Sequence, residues 1–414
     1  MTEIELLSRQ LRSLPTVDKP TSHCKLSCGD IVSNYEIDRF LGKGRFSTVW
    51  SAKNKLNGSV VAIKVYRIGS DNETYYANEV QILNKVFEYS LTTQQIPTNL
   101  IGYLGTVAHV NIDSNRIPKI HPCVLFNLAG DSVSKLLKHC SRNYGKGLPI
   151  NVVKKIMKDI LKGLAYLHNC GIIHTDIKPS NLLLNGAVES LDESGLVVSI
   201  GDLGSSTFAD ELFSYHVGTT QYIAPELILE LPYSYPIDIW AAFATCFELI
   251  TGDLLFDVFG ECGITYGEDI DDCLSCEVTK LDEEAEEVEE TKSRKSKDYS
   301  QNSNKSFDNS DSSGSDEEDE EKTNYRHLCL IEKVIGPAPR EFTRNARLYY
   351  NRRDKLKNNP DIAHMGIAEL LYSNYEMSEE DCKQIEDFLL TGLKYMPEDR
   401  ISSESALQHP WLNS

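Results

Sequence analysis

The 414-residue chain is short of positive charge: 42 Lys and Arg face 62 Asp and Glu, a formal net charge of −20. That deficit argues against nucleic acid or an anionic membrane as the main partner, because both need a basic surface. A basic protein or peptide suits it better. Long hydrophobic runs are missing as well. No stretch approaches 18 uninterrupted apolar residues, so no membrane-spanning helix is expected. Residues 1–10 carry Glu3 and Glu5 and lack the apolar core of a signal peptide. The eleven cysteines, from Cys24 to Cys382, form no repeating frame. Reduced thiols in cytosol or nucleus are the simplest reading. Cys273 and Cys276 have no second Cys/His pair at zinc spacing and read as free thiols. No internal repeat is visible.

What is present is a 41% hydrophobic composition and enough length for two packed lobes, or a domain with a long insertion. The charge is uneven. Residues 257–325 hold 23 Asp and Glu against 7 Lys and Arg, a net of −16. Acidic runs at 282–290 and 316–321 flank a Ser/Asn/Lys stretch, a composition that cannot bury enough apolar surface to offset chain entropy. Residues 260–323 are therefore expected to be a disordered acidic insertion. It reads either as a solvated loop or as an electrostatic collector of basic substrates. Ser312, Ser313 and Ser315 beside it suit an acidophilic kinase.

Residues 1–33 read as an N-terminal extension. Ile4, Leu7, Leu11 and Leu14 recur at helical spacing, and Pro15 stops the run. From Tyr35 the pattern is strand-like, and Asn57-Gly58 ahead of the β-branched run from Val60 to Val65 signals a hairpin. A helix is expected over 73–87 with Val80, Leu83 and Phe87 inward, then a buried strand at Cys123–Phe126. After Ser132 the chain turns helical. Val153, Ile156, Ile160, Leu164 and Leu167 form one stripe ended by Gly171. Further helices fit 236–251, 378–395 and 402–409. The fold class is α+β: a small β-rich N-lobe over 34–129 and a larger α-helical C-lobe over 130–414, interrupted at 260–323.

Several motifs carry chemistry. Leu41-Gly42-Lys43-Gly44-Arg45-Phe46-Ser47-Thr48-Val49 is a glycine-rich turn through which a backbone approaches phosphates. Ser47 stands where a third glycine is usual. Ala62 and Lys64 close the next strand. A lysine ending an apolar strand needs partners for its charge, which nucleotide phosphates and a helix carboxylate, Glu79, would supply. The stretch from His174 to Asn181 then packs Asp176, Lys178 and Asn181 into six residues. Asp176 is placed to accept or orient a hydroxyl proton. Lys178 would neutralise a transferring phosphoryl group, and Asn181 would hold magnesium. Asp202, in Asp202-Leu203-Gly204 after a short strand, is the second magnesium ligand. Phe126 and the segment from Asn127 to Ala129 would border the base of ATP. Asp238, Glu226 and Arg400 read as structural.

These motifs resemble the protein kinase superfamily and, more narrowly, the SR-protein kinases, which phosphorylate serines in Arg/Ser-repeat splicing factors. Four features carry the narrower likeness: Phe46-Ser47-Thr48-Val49-Trp50, Gly147-Leu148-Pro149 leading into Val153-Lys154-Lys155-Ile156, His174-Thr175-Asp176, and the His409-Pro410-Trp411-Leu412-Asn413-Ser414 terminus. The resemblance implies an ATP- and Mg²⁺-dependent serine kinase of basic Arg/Ser-rich proteins, monomeric, cytoplasmic and nuclear. Thr175 replaces the Arg that usually binds a phosphorylated activation loop, so phosphorylation of Ser206 or Thr207 is not needed for activity. The departures fall on substrate reading. Thr220, Ile223 and Ser180 replace two arginines and an acid of the family, Arg326 falls near a docking acid, and only Asp253 and Glu332 align with that groove. A kinase of a neighbouring group, or a pseudokinase scaffold, are the alternatives.

Overall fold

Strands Ile31–Val32 (β1), Tyr35–Lys43 (β2), Ser47–Asn54 (β3), Val60–Tyr66 (β4), Tyr103–Ile112 (β5) and Pro118–Asn127 (β6) form one antiparallel sheet, ordered β1-β2-β3-β4-β6-β5. They belong to a computed structural model that describes residues 24–95, 99–112, 118–144, 147–186, 195–211, 217–260, 313–357 and 362–414. Two compact units result, residues 1–130 with 202–206 and residues 131–201 with 207–414.

In the first unit, alternation along β2, β3, β4 and β6 sends Ile37, Ala52, Val61, Ile63, Val65, Cys123 and Leu125 to one sheet face. Cys24, Leu26 and Val32 join that cluster. Within the expected extension over residues 1–33, Cys24, Leu26 and Val32 are buried in the core while residues 25, 27–31 and 33 are exposed. The apolar repeat from Ile4 to Leu14 lies outside the described residues. Helix α1, Ser70–Thr93, follows β4 and is longer than the expected 73–87. Val80 and Leu83 are buried, but Phe87 is 55% exposed and Val86 is buried in its stead. The buried face runs through Glu79, Ile82, Leu83 and Val86, at steps of three and four, and Phe87 lies at its edge.

The second unit is mostly helical: Val133–Tyr144 (α2), Ile150–Asn169 (α3), Pro225–Ile228 (α4), Pro236–Thr251 (α5), Ser313–Ile335 (α6), Arg340–Asn345 (α7), Ile367–Tyr375 (α8), Glu379–Gly392 (α9), Ser403–Ala406 (α10) and Pro410–Asn413 (α11). Two small antiparallel pairs complete it, Ile172–Ile173 (β7) with Thr207–Phe208 (β10), and Leu182–Leu184 (β8) with Val198–Ile200 (β9). The α3 stripe is fully buried at Val153, Ile156, Ile160, Leu164 and Leu167, each worth about 1.5–3 kcal/mol. Helix α5 is apolar on nearly every side and forms the unit's centre. Gly147 is required beside it. A Cβ there would stand 2.2 Å from the Ile250 carbonyl oxygen, and the neighbouring Leu148 N–H donates to Leu249 O at 2.7 Å. Arg400 makes a buried two-pronged pair with Glu226, both contacts 2.6 Å, tying the chain's end to α4.

Within the expected insertion over 260–323, residues 261–312 lie outside the described residues, while α6 begins at Ser313 and takes in the acidic run 316–321, which is therefore helical and not disordered. Glu is a good helix former, and acidic side chains suit the positive end of a helix dipole. The other half of α6 anchors it, with His327, Leu328 and Ile331 fully buried. The run 282–290, Cys273 and Cys276 lie outside the described residues.

Candidate active site

Each unit assembles its own set of the expected groups. In the first, β2 and β3 carry the glycine turn. Neither Gly42 nor Gly44 has positive φ, and a Cβ on Gly42 would meet nothing within 4 Å. Their smallness matters only for what approaches from outside. Leu41, Lys43 and Arg45 are exposed, Val49 is half-buried, and Ser47 and Thr48 are buried. Phe46 stacks on Tyr75 of α1 with ring centroids 3.7 Å apart. Ala62 lies opposite Phe126 in the β4–β6 ladder, both buried, and Ala129 is half-buried just beyond β6. The Asn127 N–H is donated to Gly102 O at 2.8 Å.

Lys64 Nζ lies 2.9 Å from Glu79 Oε1 and 2.7 Å from Asp202 Oδ1. Burial alone would lower the lysine's pKa. The charges of Glu79, Tyr66 and Asp202 outweigh it and hold the group well above its usual value, so it stays an ammonium. Glu79 is buried and also accepts the Tyr66 hydroxyl. Asp202 keeps about half of its side chain exposed and sits at φ +56°, the left-handed region. Asn78 of α1 clamps the following turn, donating to Gly204 O and Ser206 O.

In the second unit, Asp238 at the start of α5 is fully buried and accepts the backbone N–H groups of His174 and Thr175, each at 2.8 Å. Those bonds hold Thr175 at φ +73°, an outlier for a β-branched residue. His174 Nδ1 accepts from Asp176 N at 3.2 Å, while its Nε2 meets Gly201 O at 3.0 Å. Asp176 is thereby aimed. Its Oδ2 accepts from Asn181 Nδ2 at 3.0 Å and pairs with Lys178 Nζ at 2.9 Å. Its Oδ1 accepts the Thr219 hydroxyl at 2.7 Å, and that hydroxyl accepts from Lys178 at 2.7 Å. A carboxylate, an ammonium, an amide and a hydroxyl thus share one small polar site, able to take a proton from an alcohol and steady anionic charge.

Sequence reasoning grouped Asp176, Lys178 and Asn181, paired Lys64 with Glu79, and gave Asp202 to magnesium beside Asn181; the direct Lys64–Asp202 contact is a finding of the structure. Sequence reasoning missed Thr219. A small hydroxyl residue directly after a glycine was the available signal, and Gly218 at φ +84° delivers it. It also missed Tyr222, whose hydroxyl donates to Glu248 Oε2 at 2.6 Å. Burial raises the pKa of both. The expected docking acids are engaged internally: Asp253 accepts the Tyr375 hydroxyl at 3.0 Å and Glu332 accepts Ala338 N at 3.3 Å. Arg326 donates to Gly260 O.

Residues 35–412 match the family model of the protein kinase domain. Among curated proteins the chain is 28% identical, over 92% of its length, to a serine/threonine-protein kinase SRPK of Physarum polycephalum, spanning 86% of that protein. It is 33% identical to the serine/threonine-protein kinase prp4 of Schizosaccharomyces pombe over 55% of the chain and 43% of the relative. It is 29% identical to the mouse SRSF protein kinase 3 over 58% of the chain and 33% of that relative.

Proposed function

Since the chain belongs to the protein kinase family as a serine/threonine protein kinase, we propose that it moves the terminal phosphoryl group of ATP onto serine hydroxyls of basic, Arg/Ser-rich proteins, acting as a monomer. The observation that carries this reading is the Asp176–Lys178–Thr219 contact set. Asp176 can still accept another hydroxyl, because a carboxylate offers about four acceptor sites and three donors use some of them. It would take the serine proton as the oxygen–phosphorus bond forms. Lys178 would balance charge on the moving group, and Thr219 would hold both side chains in register.

Lys64, fixed by Glu79, would hold nucleotide phosphates. Asp202 and Asn181 would hold Mg²⁺, to which hard oxygen donors are suited. No group of three or more His, Cys, Asp and Glu among the described residues is a metal site by itself, so phosphate and water oxygens would complete the ion's shell. When bound, the ion supplies charge neutralisation along the phosphate chain.

A second reading, a serine/threonine kinase of different specificity, is favoured by the internal engagement of Asp253 and Glu332 and by Arg326 in place of an acid. Phosphorylation of Arg-Ser repeat peptides, compared with acidic and Pro-directed peptides, separates the two, with Asp176→Asn as the control. The first expects the repeat peptides to be preferred. Equal or lower rates on them would transfer support to the second. No turnover above the Asp176→Asn background on any peptide would defeat both.

A further inference from the structure

Tyr66 closes β4 two residues after Lys64, so the alternation of a strand sends both side chains to the same face of the sheet. The Lys64 ammonium lies 5.4 Å from the centre of the Tyr66 ring. Tyr66 is 1% exposed. Its backbone is held on both sides, paired with Ser47 of β3 and with its carbonyl 2.9 Å from His121 Nδ1. Its ring is held by Tyr76 of α1, which packs edge-on against it with centroids 5.4 Å apart. Tyr76 and Glu79 are three residues apart on α1 and so lie on one face of the helix. One meets the Tyr66 ring and the other meets the Tyr66 hydroxyl.

That hydroxyl decides how a buried carboxylate is shared. Glu79 gives Oε1 to Lys64 at 2.9 Å, while Oε2 accepts the phenol, its one hydrogen-bond partner among the described residues. Taking the phenol away leaves a buried acceptor unmet, and an unmet acceptor turns to the nearest donor. Here that donor is the ammonium already bound to Oε1. An ammonium has three N–H groups. Glu79 Oε1 and Asp202 Oδ1 use two of them, which leaves a third for an oxygen from outside. A Glu79 that grips Lys64 with both oxygens competes with a phosphate for that third N–H. Burial holds the phenol's pKa well above its usual value, so it remains a donor.

We propose that Tyr66 is a positioning residue for nucleotide phosphates: by engaging Glu79 Oε2 it confines that carboxylate to one contact with Lys64 and keeps the third N–H of the ammonium for ATP. This rests on the reading of Lys64 as the group that holds phosphates, and the effect passes through Glu79.

Tyr66→Phe keeps the ring beside the ammonium and removes only the hydroxyl. Calorimetric titration of the full chain with ATP and Mg²⁺, and separately with adenosine, tests the role, because adenosine carries the base and sugar without phosphates. The variant should bind ATP about five- to ten-fold more weakly than the unaltered chain and adenosine equally well. Equal losses for ATP and adenosine would make Tyr66 a packing residue, and an unchanged ATP affinity would leave it without a role; either overturns the proposal. In a Glu79→Gln background, Tyr66→Phe should cost no further ATP affinity. A further loss of the same size would show that the phenol does not act through Glu79, against the proposal. Lys64→Met separates this from the underlying reading. If that variant binds ATP as tightly as the unaltered chain, Lys64 does not hold phosphates, and the proposal falls with that reading rather than on Tyr66.

Discussion

Thr219 shows what one hydroxyl does in this site. It is the only group among those described that contacts both Asp176 and Lys178, donating to one and accepting from the other. Thr219→Val removes both bonds while keeping shape. A hydrogen bond to a charged group is worth roughly 1.5–3 kcal/mol, so kcat should fall about ten- to a hundred-fold, with Thr219→Ser restoring most of it. Steady-state kinetics on one peptide would show this; a valine variant with unaltered kcat would remove Thr219 from the machinery. His327 makes a different case. It is fully buried against Phe256, neither ring nitrogen has a hydrogen-bond partner among the described residues, and burial pushes its pKa down from 6.5 to about 3. The unfolded chain therefore binds the proton that the folded chain refuses. Stability should be full above pH 6.5 and should fall towards pH 3, by about 1.4 kcal/mol per pH unit. Urea unfolding between pH 7 and 5 measures the slope, and His327→Leu should flatten it by that amount.

Among the elements, the described start of the segment from Asp202 to Glu226 holds Ser206 and Thr207 within the fold. Ser206 is 1% exposed, and Thr207 is paired to Ile173 through β10 and β7. Thr175, which stands where a phosphate-binding Arg is usual, is buried with its N–H on Asp238. Enzyme treated with a phosphatase should keep its rate, and a collapse would show that this segment needs a charge it does not carry in its sequence. Helix α6 makes the complementary point about composition. Its acidic half is disordered by the rule of net charge and low hydropathy, yet it extends a helix whose other half is buried. A neighbouring anchor supplies the apolar contact that the run itself lacks.

For the molecule as a whole, −20 of net charge favours encounter with basic partners. KM for an Arg-rich peptide should rise as ionic strength climbs, because the Debye length contracts from about 10 Å at 0.1 M to about 3 Å at 1 M. A KM indifferent to salt would leave the charge with a solubility role alone. The local features of the fold were legible in advance: the α3 stripe, the β4 strand and the Asn57-Gly58 turn depend on neighbours within a few residues, which periodicity records. So were the identity and order of Lys64, Asp176, Lys178, Asn181 and Asp202, since residue type and spacing express their chemistry. The capture of Thr219 by Asp176, the Tyr375 cap on Asp253, the Arg326 bond to Gly260 and the passage of Cys24 into the core were not. Each joins groups that lie far apart in the chain and follow no repeat. By itself, then, the sequence determined which chemical groups this protein has to work with. Only tertiary structure decided which of them meet, because buried polar groups take whichever partner packing brings within 3 Å.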